Sequence, residues 1–227
     1  MGLLRLLRTG KGPMDGWIAR AYDQGVQSAF RDILPGLVRD MLEDVRSVVA
    51  GVGRVLDVGC GPGQFTILMA EELPGVETWG VDLASAMIAL ARRHAAESPA
   101  AARLHFEIAD AAHLPFPNDH FGAVLSSGSI KHWDDPVAGL REIHRVLVPG
   151  GRAFIGEMNR VAPARSIEAN RAHLRSRLFR FVYPRVFAKA LSPDEARQLF
   201  AASPFGAPRR ERMLLDDCFW LFEAAKA

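Results

Sequence analysis

The residues with the clearest chemical potential lie between Arg54 and Phe65, in the run Arg-Val-Leu-Asp-Val-Gly-Cys-Gly-Pro-Gly-Gln-Phe. Gly59, Gly61 and Gly63 stand at alternate positions. Glycine accepts positive φ and lets a ligand approach bare backbone. Pro62 fixes one φ and removes one donor. Asp57 precedes the first glycine by two residues. A carboxylate there repels phosphate and suits a ligand carrying ammonium or sulfonium charge. A dinucleotide loop reads G-x-G-x-x-G and seats a pyrophosphate on a helix N-terminus. Counted from Gly59, its last glycine falls on Gln64, so a nicotinamide oxidoreductase is disfavoured. A second carboxylate, Asp82, follows Asp57 by 25 residues, a normal length for one βαβ unit. At the carboxyl end of a second strand it can accept hydrogen bonds from both hydroxyls of a ribose. The competing role is a plain helix cap, for which Ser85 is already available. His132 is a candidate base that could take a proton from a hydroxyl or amine.

These groups need a frame. Val55, Leu56 and Val58 read as a strand covered on both faces. Phe65, Leu68, Met69, Ala70 and Leu73 then follow a helical stripe. Val76–Val81 reads as a second buried strand ending at Asp82, and the helix after it keeps Met87, Leu90 and Ala91 inward. Leu104–Ile108 is a third strand. Paired prolines and an Asn-Asp cluster make a loop of Leu114–Phe121, and Val124–Ser127 is a central fourth strand. Asp135-Pro136 opens a helix in cap order, whose stripe runs to a chain reversal at Pro149-Gly150-Gly151. Arg152–Ile155 begins a fifth strand, with Glu157 and Asn159 at its carboxyl end. Leu37–Val49 is a helix beside the sheet. Ser192-Pro193-Asp194-Glu195 is a capping-box helix start that docks Leu199 and Phe200, and Arg209–Leu215 and Cys218–Glu223 are the last strands.

The pattern D-x-G-x-G-x-G resembles motif I of the class I S-adenosylmethionine (SAM) methyltransferases. "Leu-Arg-Glu-Ile-His-Arg-Val-Leu-Val-Pro-Gly-Gly-Arg" is similar to a signature of the small-molecule members, and Leu114–Phe121 to their "L-P-F-x-D-x-F-D" segment, with Gly122 in place of the final Asp. Ala21-Tyr22-Asp23 resembles the N-terminal segment of the ubiquinone/menaquinone-type members. The resemblance implies an α/β fold: a Rossmann-like, doubly wound seven-stranded sheet with an antiparallel terminal strand and helices on both faces. It implies methyl transfer from SAM to a small-molecule oxygen, nitrogen or carbon nucleophile, the alternative being a SAM-binding partner or scaffold without activity. It places Asp57, Gly59, Cys60, Gly61, Gly63 and Phe65 along the methionine and ribose part of SAM. Asp82 becomes the ribose ligand, and Leu83 and Met87 line the nucleoside. Asp110 accepts from the adenine amino group and the backbone of Ala111 donates to the ring. Ser126 and Ser127 end the central strand at the cofactor, and Tyr22 lies over the pocket. His132 and Glu157 are the candidate bases, and no metal is required.

The chain has 227 residues and net charge +2, enough for one α/β domain. The organisation expected is an N-terminal helical segment over 1–50, then a domain over 51–227 with a helical cap at 160–191, broken at Pro184. Two cysteines, Cys60 and Cys218, are too few for a disulfide framework, and a reducing cytoplasm is the simplest compartment. No run of about eighteen uncharged apolar residues suggests a transmembrane segment. Met1–Lys11 is basic and apolar, either a helix packed on the domain or a membrane contact. The cap stretch carries eight Arg and Lys against Glu168 alone. It reads as a solvated basic face, as a cover for an anionic or amphiphilic acceptor, or as a peripheral membrane contact. Nucleic acid is excluded as a partner, because no recognition motif accompanies the charge.

Overall fold

A computed structural model describes residues 34–174, 180, 181, 183 and 187–227. Seven strands form one sheet in the order β3-β2-β1-β4-β5-β7-β6. They are β1 (Arg54–Val58), β2 (Glu77–Asp82), β3 (Leu104–Ile108), β4 (Phe121–Ser127), β5 (Leu147–Met158), β6 (Arg210–Leu214) and β7 (Phe219–Ala225). β1 to β5 pair in parallel, and β7 inserts antiparallel between β5 and β6. The seven-stranded doubly wound expectation is met, with β4 central. Strand order reverses between β1 and β4, and in an open parallel sheet the crevice at the carboxyl ends beside that reversal is the ligand site.

Side-chain alternation explains why both faces are covered. Val55, Ala123, Leu125, Phe154, Phe219 and Leu221 point to one face. Their strand neighbours Leu56, Val124, Ala153, Ile155, Trp220 and Phe222 point to the other. Such period-two burial on both faces produces near-continuous apolar strands. The first face is closed by α1 (Leu34–Val49) and α2 (Gln64–Glu72). The second is closed by α4 (Pro136–Val146) and α6 (Pro193–Ala201), through Leu140, Ile143, Val146, Ala196 and Phe200. Between these helices in sequence come α3 (Ser85–Ala95), which packs on β2 and β3, and α5 (Ala164–His173), after β5. Each fully buried Leu, Ile or Phe here contributes about 1.5–3 kcal/mol by leaving water.

Several local expectations hold. Asp135 caps α4 by accepting from the Ala138 N–H at 2.9 Å. Ser192 and Glu195 close a full capping box on α6. The Glu142–Arg145 pair has a structural use: Glu142 accepts from the Leu114 N–H, and Arg145 donates to the carbonyls of Leu114 and Phe116. It thereby pins the loop before β4.

Others need correction. Pro149-Gly150-Gly151 does not reverse the chain. It lies inside β5 as an irregularity, because Phe121 pairs with Leu147 while Ala123 pairs with Arg152. Ser85 is not the cap of α3; Ala84 holds that position, and Asp82 accepts its N–H at 2.8 Å. Gly122 stands where the family pattern has Asp because the end of α1 lies against it, and a Cβ there would sit 2.6 Å from the Val48 carbonyl oxygen. Asn159 stays at the carboxyl end of β5, but its side chain is committed to holding the chain there: it donates to the Asp217 carbonyl of the β6–β7 turn and accepts from the Val161 N–H. Tyr22, Pro184 and the segment Met1–Lys11 lie outside the described residues. Among those described, no helix is long and apolar enough to cross a membrane.

Candidate functional site

The glycine loop is latched to β2 before any ligand is considered. The N–H groups of Gly59 and Cys60 both donate to the Val81 carbonyl, at 2.8 and 2.9 Å, and that of Gly63 donates to Cys60. The Gly61 N–H donates to Asp82 Oδ2 at 3.0 Å. The three glycines all have positive φ, yet each serves a different neighbour. A Cβ on Gly59 would collide with Ser129 Oγ at 1.7 Å, and one on Gly63 would press on Ala91 at 2.9 Å. A Cβ on Gly61 would meet nothing within 4 Å. Gly61 is therefore the one position in the loop whose bare backbone borders open space.

Asp57 lies beneath this loop, 1% exposed. Thr66, in the first turn of α2, donates its hydroxyl to Asp57 Oδ2 at 2.6 Å. Burial pushes the Asp57 carboxyl up to about 7, the Thr66 bond opposes this, and the nearby Asp82 adds to it. Asp82, at the end of β2, is raised by burial and drawn back by the N–H groups of Ala84 and Gly61. Each Asp82 oxygen takes one hydrogen bond, and a carboxylate oxygen has room for two. Among the described residues neither acid forms an ion pair. Cys60 is buried, and desolvation with the charges of Asp57 and Asp82 drives its thiol pKa up. The thiol is thus no nucleophile.

Leu83, next to Asp82, is 68% exposed, a large apolar side chain left open to solvent beside the loop. Met87 and Phe65 are buried under the loop. Asp110 is half-buried, accepts from the Ala112 N–H at 3.0 Å, and stands 3.6 Å from His113; Ala111 is buried. These groups sit at the carboxyl ends of β1, β2 and β3, three neighbouring strands.

Across the strand reversal the chain after β4 turns through Ser129 and Ile130–His132. Ser127 ends β4 half-buried, and Ser126 is buried with no partner for its hydroxyl. His132 is exposed on this turn. Glu157 is fully buried, and its Oε1 accepts from Lys131 Nζ at 2.7 Å and from the Met158 N–H at 2.8 Å. The sequence named Glu157 but did not reveal its partner, because Lys131 precedes it by 26 residues in a turn with no pattern of its own. Thr66 was missed as well, although a hydroxyl nine residues after an acid, in the first turn of the next helix, is a usable signal.

Elsewhere, a groove of about 460 Å³ lies between α3 and the outer strand β3, lined by Arg92, His105 and Glu107 among others. It includes none of Asp57, Asp82, Asp110 or Glu157, and the Arg92 guanidinium is committed to the Phe106 carbonyl. The carboxyl edge is the candidate site. Among the described residues no cluster of His, Cys, Asp or Glu could hold a metal.

Known proteins resemble this chain in sequence and in fold. Residues 55–151 match the family described as methyltransferase domain. A Deinococcus radiodurans demethylmenaquinone methyltransferase is 33% identical over 84% of this chain and 81% of its own length. A Geobacter sulfurreducens ubiquinone/menaquinone biosynthesis C-methyltransferase is 40% identical over 61% of this chain, which spans half of that relative. The crystal structure of a Methanococcus maripaludis protein assigned to the SAM-dependent methyltransferases superposes with TM-score 0.70 at 20% identity, over 96% of this chain and 95% of that one.

Proposed function

Because the chain belongs to the class I SAM-dependent methyltransferases, we propose that its acceptor is a reduced, hydroxylated quinone ring methylated on carbon. The relatives named for demethylmenaquinone and for ubiquinone/menaquinone biosynthesis support this class. The observation that carries the cofactor assignment is the pair of acids, buried Asp57 and half-buried Asp82, the latter joined to Gly61 at the open space, with no ion pair to either among the described residues.

The residues fit SAM. Asp82 keeps acceptor capacity for the ribose hydroxyls, and exposed Leu83 provides an apolar wall for adenine. Asp110 and Ala111 meet the edge of the base. Asp57 faces the positive end, with Gly59, Cys60, Gly61, Gly63 and Phe65 shaping the loop and Met87 supporting it. Ser126 and Ser127 close the floor at the central strand, and the family resemblance alone assigns Tyr22, outside the described residues, to the cover. When bound, SAM supplies an electrophilic methyl on a positively charged sulfur. The chain's task is to hold the acceptor carbon in line and exclude water. It must also receive the acceptor's hydroxyl proton, for which His132 and Glu157 are the candidates. Nothing favours the binding-only reading over transfer.

The N-terminal segment 1–50 and the cap 160–191 enclose an amphiphilic acceptor in this reading, with the enzyme in the cytoplasm at the membrane surface. The described part of the cap supports enclosure: Tyr183 and Phe187 are buried in the cluster that holds Met158 and Phe219. Its charges are partly used internally, as in Arg160 with Glu195 and Arg171 with Glu168. The test is anaerobic incubation with SAM and 2-prenyl-1,4-naphthohydroquinone, followed by mass spectrometry. A product heavier by one methylene, with the methyl on ring carbon, is expected. Absence of that product while SAM binds would refute this acceptor.

A further inference from the structure

The acceptor side holds a buried polar group whose bonding is incomplete. Lys131 Nζ, on a side chain 9% exposed, donates to Glu157 Oε1 and to the Gly128 carbonyl, both at 2.7 Å. An ammonium has three N–H donors, so one remains. Glu157 Oε1 takes two bonds, while Oε2, equally buried, takes none. Ser126 Oγ is also buried and without a partner. Ser126 lies opposite Ile155 in the β4–β5 register. Glu157 is two residues beyond Ile155, so the two side chains leave the sheet on one face as diagonal neighbours. A pair serving only packing would have both carboxylate oxygens satisfied. Three unmet polar atoms at the carboxyl edge, beside the strand reversal, describe a site for a small polar group.

Resting on the transferase reading above, we infer that Lys131, Glu157 and Ser126 form a subsite for a neutral ring hydroxyl of the acceptor. Glu157 Oε2 accepts the hydroxyl O–H, and the third N–H of Lys131 donates to the same oxygen. When the O–H bond breaks, its proton goes to Glu157 and its electron pair stays on oxygen, spreading into the ring carbon that takes the methyl. The Lys131 charge, no longer balanced by Glu157, then falls on the new oxyanion. Transfer would release the cofactor as neutral S-adenosylhomocysteine; the ring carbon then loses its hydrogen as a proton, the ring regains aromaticity and Glu157 returns its proton to the oxygen, so one acceptor C–H becomes C–CH₃ with release of one proton overall. Before ionisation Lys131 and Glu157 cancel, so the subsite offers a carboxylate or phosphate no net attraction and sets Glu157 against it. The selected class is an uncharged phenol or hydroquinone.

Binding of simple probes tests this apart from turnover. Calorimetry with S-adenosylhomocysteine present would compare 1-naphthol, 1-methoxynaphthalene and 1-naphthoate. The wild-type chain is expected to prefer the naphthol by about tenfold or more, and Glu157→Gln to reduce that preference severalfold. The absorbance of bound naphthol as pH rises should show ionisation about one unit lower on wild type than on Lys131→Met, with Lys131→Arg near wild type. Should Lys131→Met fail to fold, Lys131→Met/Glu157→Leu removes both charges together and is expected to bind ether and naphthol alike. Equal affinities on the wild-type chain, or a naphthol preference surviving in the double variant, would overturn the subsite. A naphthol preference that is lost in the variants supports it even if the hydroquinone is never methylated, in which case only the proposed acceptor falls.

Discussion

The two walls of the carboxyl edge solve the problem of buried charge in opposite ways. On the β1–β2 side, Asp57 and Asp82 are held by a hydroxyl and two backbone N–H groups, with no ion pair among the described residues. On the β4–β5 side, Glu157 is neutralised by Lys131. An uncompensated carboxylate wants a cation and protonates when none arrives. A compensated one is closed to ions but keeps its hydrogen-bonding capacity. The difference supports the proposed division of labour, with the first wall for a cationic cofactor and the second for a neutral acceptor.

The largest test strikes the compensated wall. Lys131→Met leaves Glu157 buried without its cation, and about 3–5 kcal/mol of stability should be lost in urea unfolding. Lys131→Met/Glu157→Leu should regain most of it. On the cofactor wall, Asp82→Ala should weaken SAM binding by about 1–3 kcal/mol in calorimetry, and unchanged affinity would reject its ribose role.

Next in size is a pH effect. Asp57 ionises near 7 in the folded chain against an ordinary 3.8. Its raised value makes ionisation unfavourable to folding, so the stability associated with its protonated form is present below about 3.8 and lost as pH rises to about 7. A cationic ligand that needs the carboxylate ionised shows the reverse trend. SAM affinity should therefore fall up to about tenfold per pH unit below 7. Uncharged-sulfur S-adenosylhomocysteine should respond less, and Asp57→Asn should flatten the profile. A flat wild-type profile would remove Asp57 from the cationic end. The smallest effect concerns Gly61. Gly61→Ala should cost only about 1 kcal/mol of stability, from its positive φ, since a Cβ there meets no protein atom. SAM binding should suffer more than folding, and the opposite ranking would place the ligand elsewhere.

Much of this was legible in the chain because it depends on short-range rules. The β1–loop–α2 joint, the cap at Asp135 and the box at Ser192 and Glu195 each lie within a few residues. The doubly wound order came with the resemblance to the methyltransferase family, and the 25-residue spacing of Asp57 and Asp82 agrees with it. What was not legible crosses long separations. Arg103 closes the end of α2 by donating to the carbonyls of Ala70, Leu73 and Val76, although α2 has no basic residue in its last turn. Nothing near Gly122 in sequence announces α1, and nothing near Lys131 announces Glu157.

By itself, the order of residues determined which strands exist, which end of the sheet carries acids, and that the loop after β1 must be bare backbone. Those follow from periodicity, glycine sterics and spacing, all local. Only tertiary packing decided which glycine borders open space, which carboxylate acquires a cation and which remains without one. Burial and charge pairing belong to neighbours in space, and the chain brings those neighbours from distant positions.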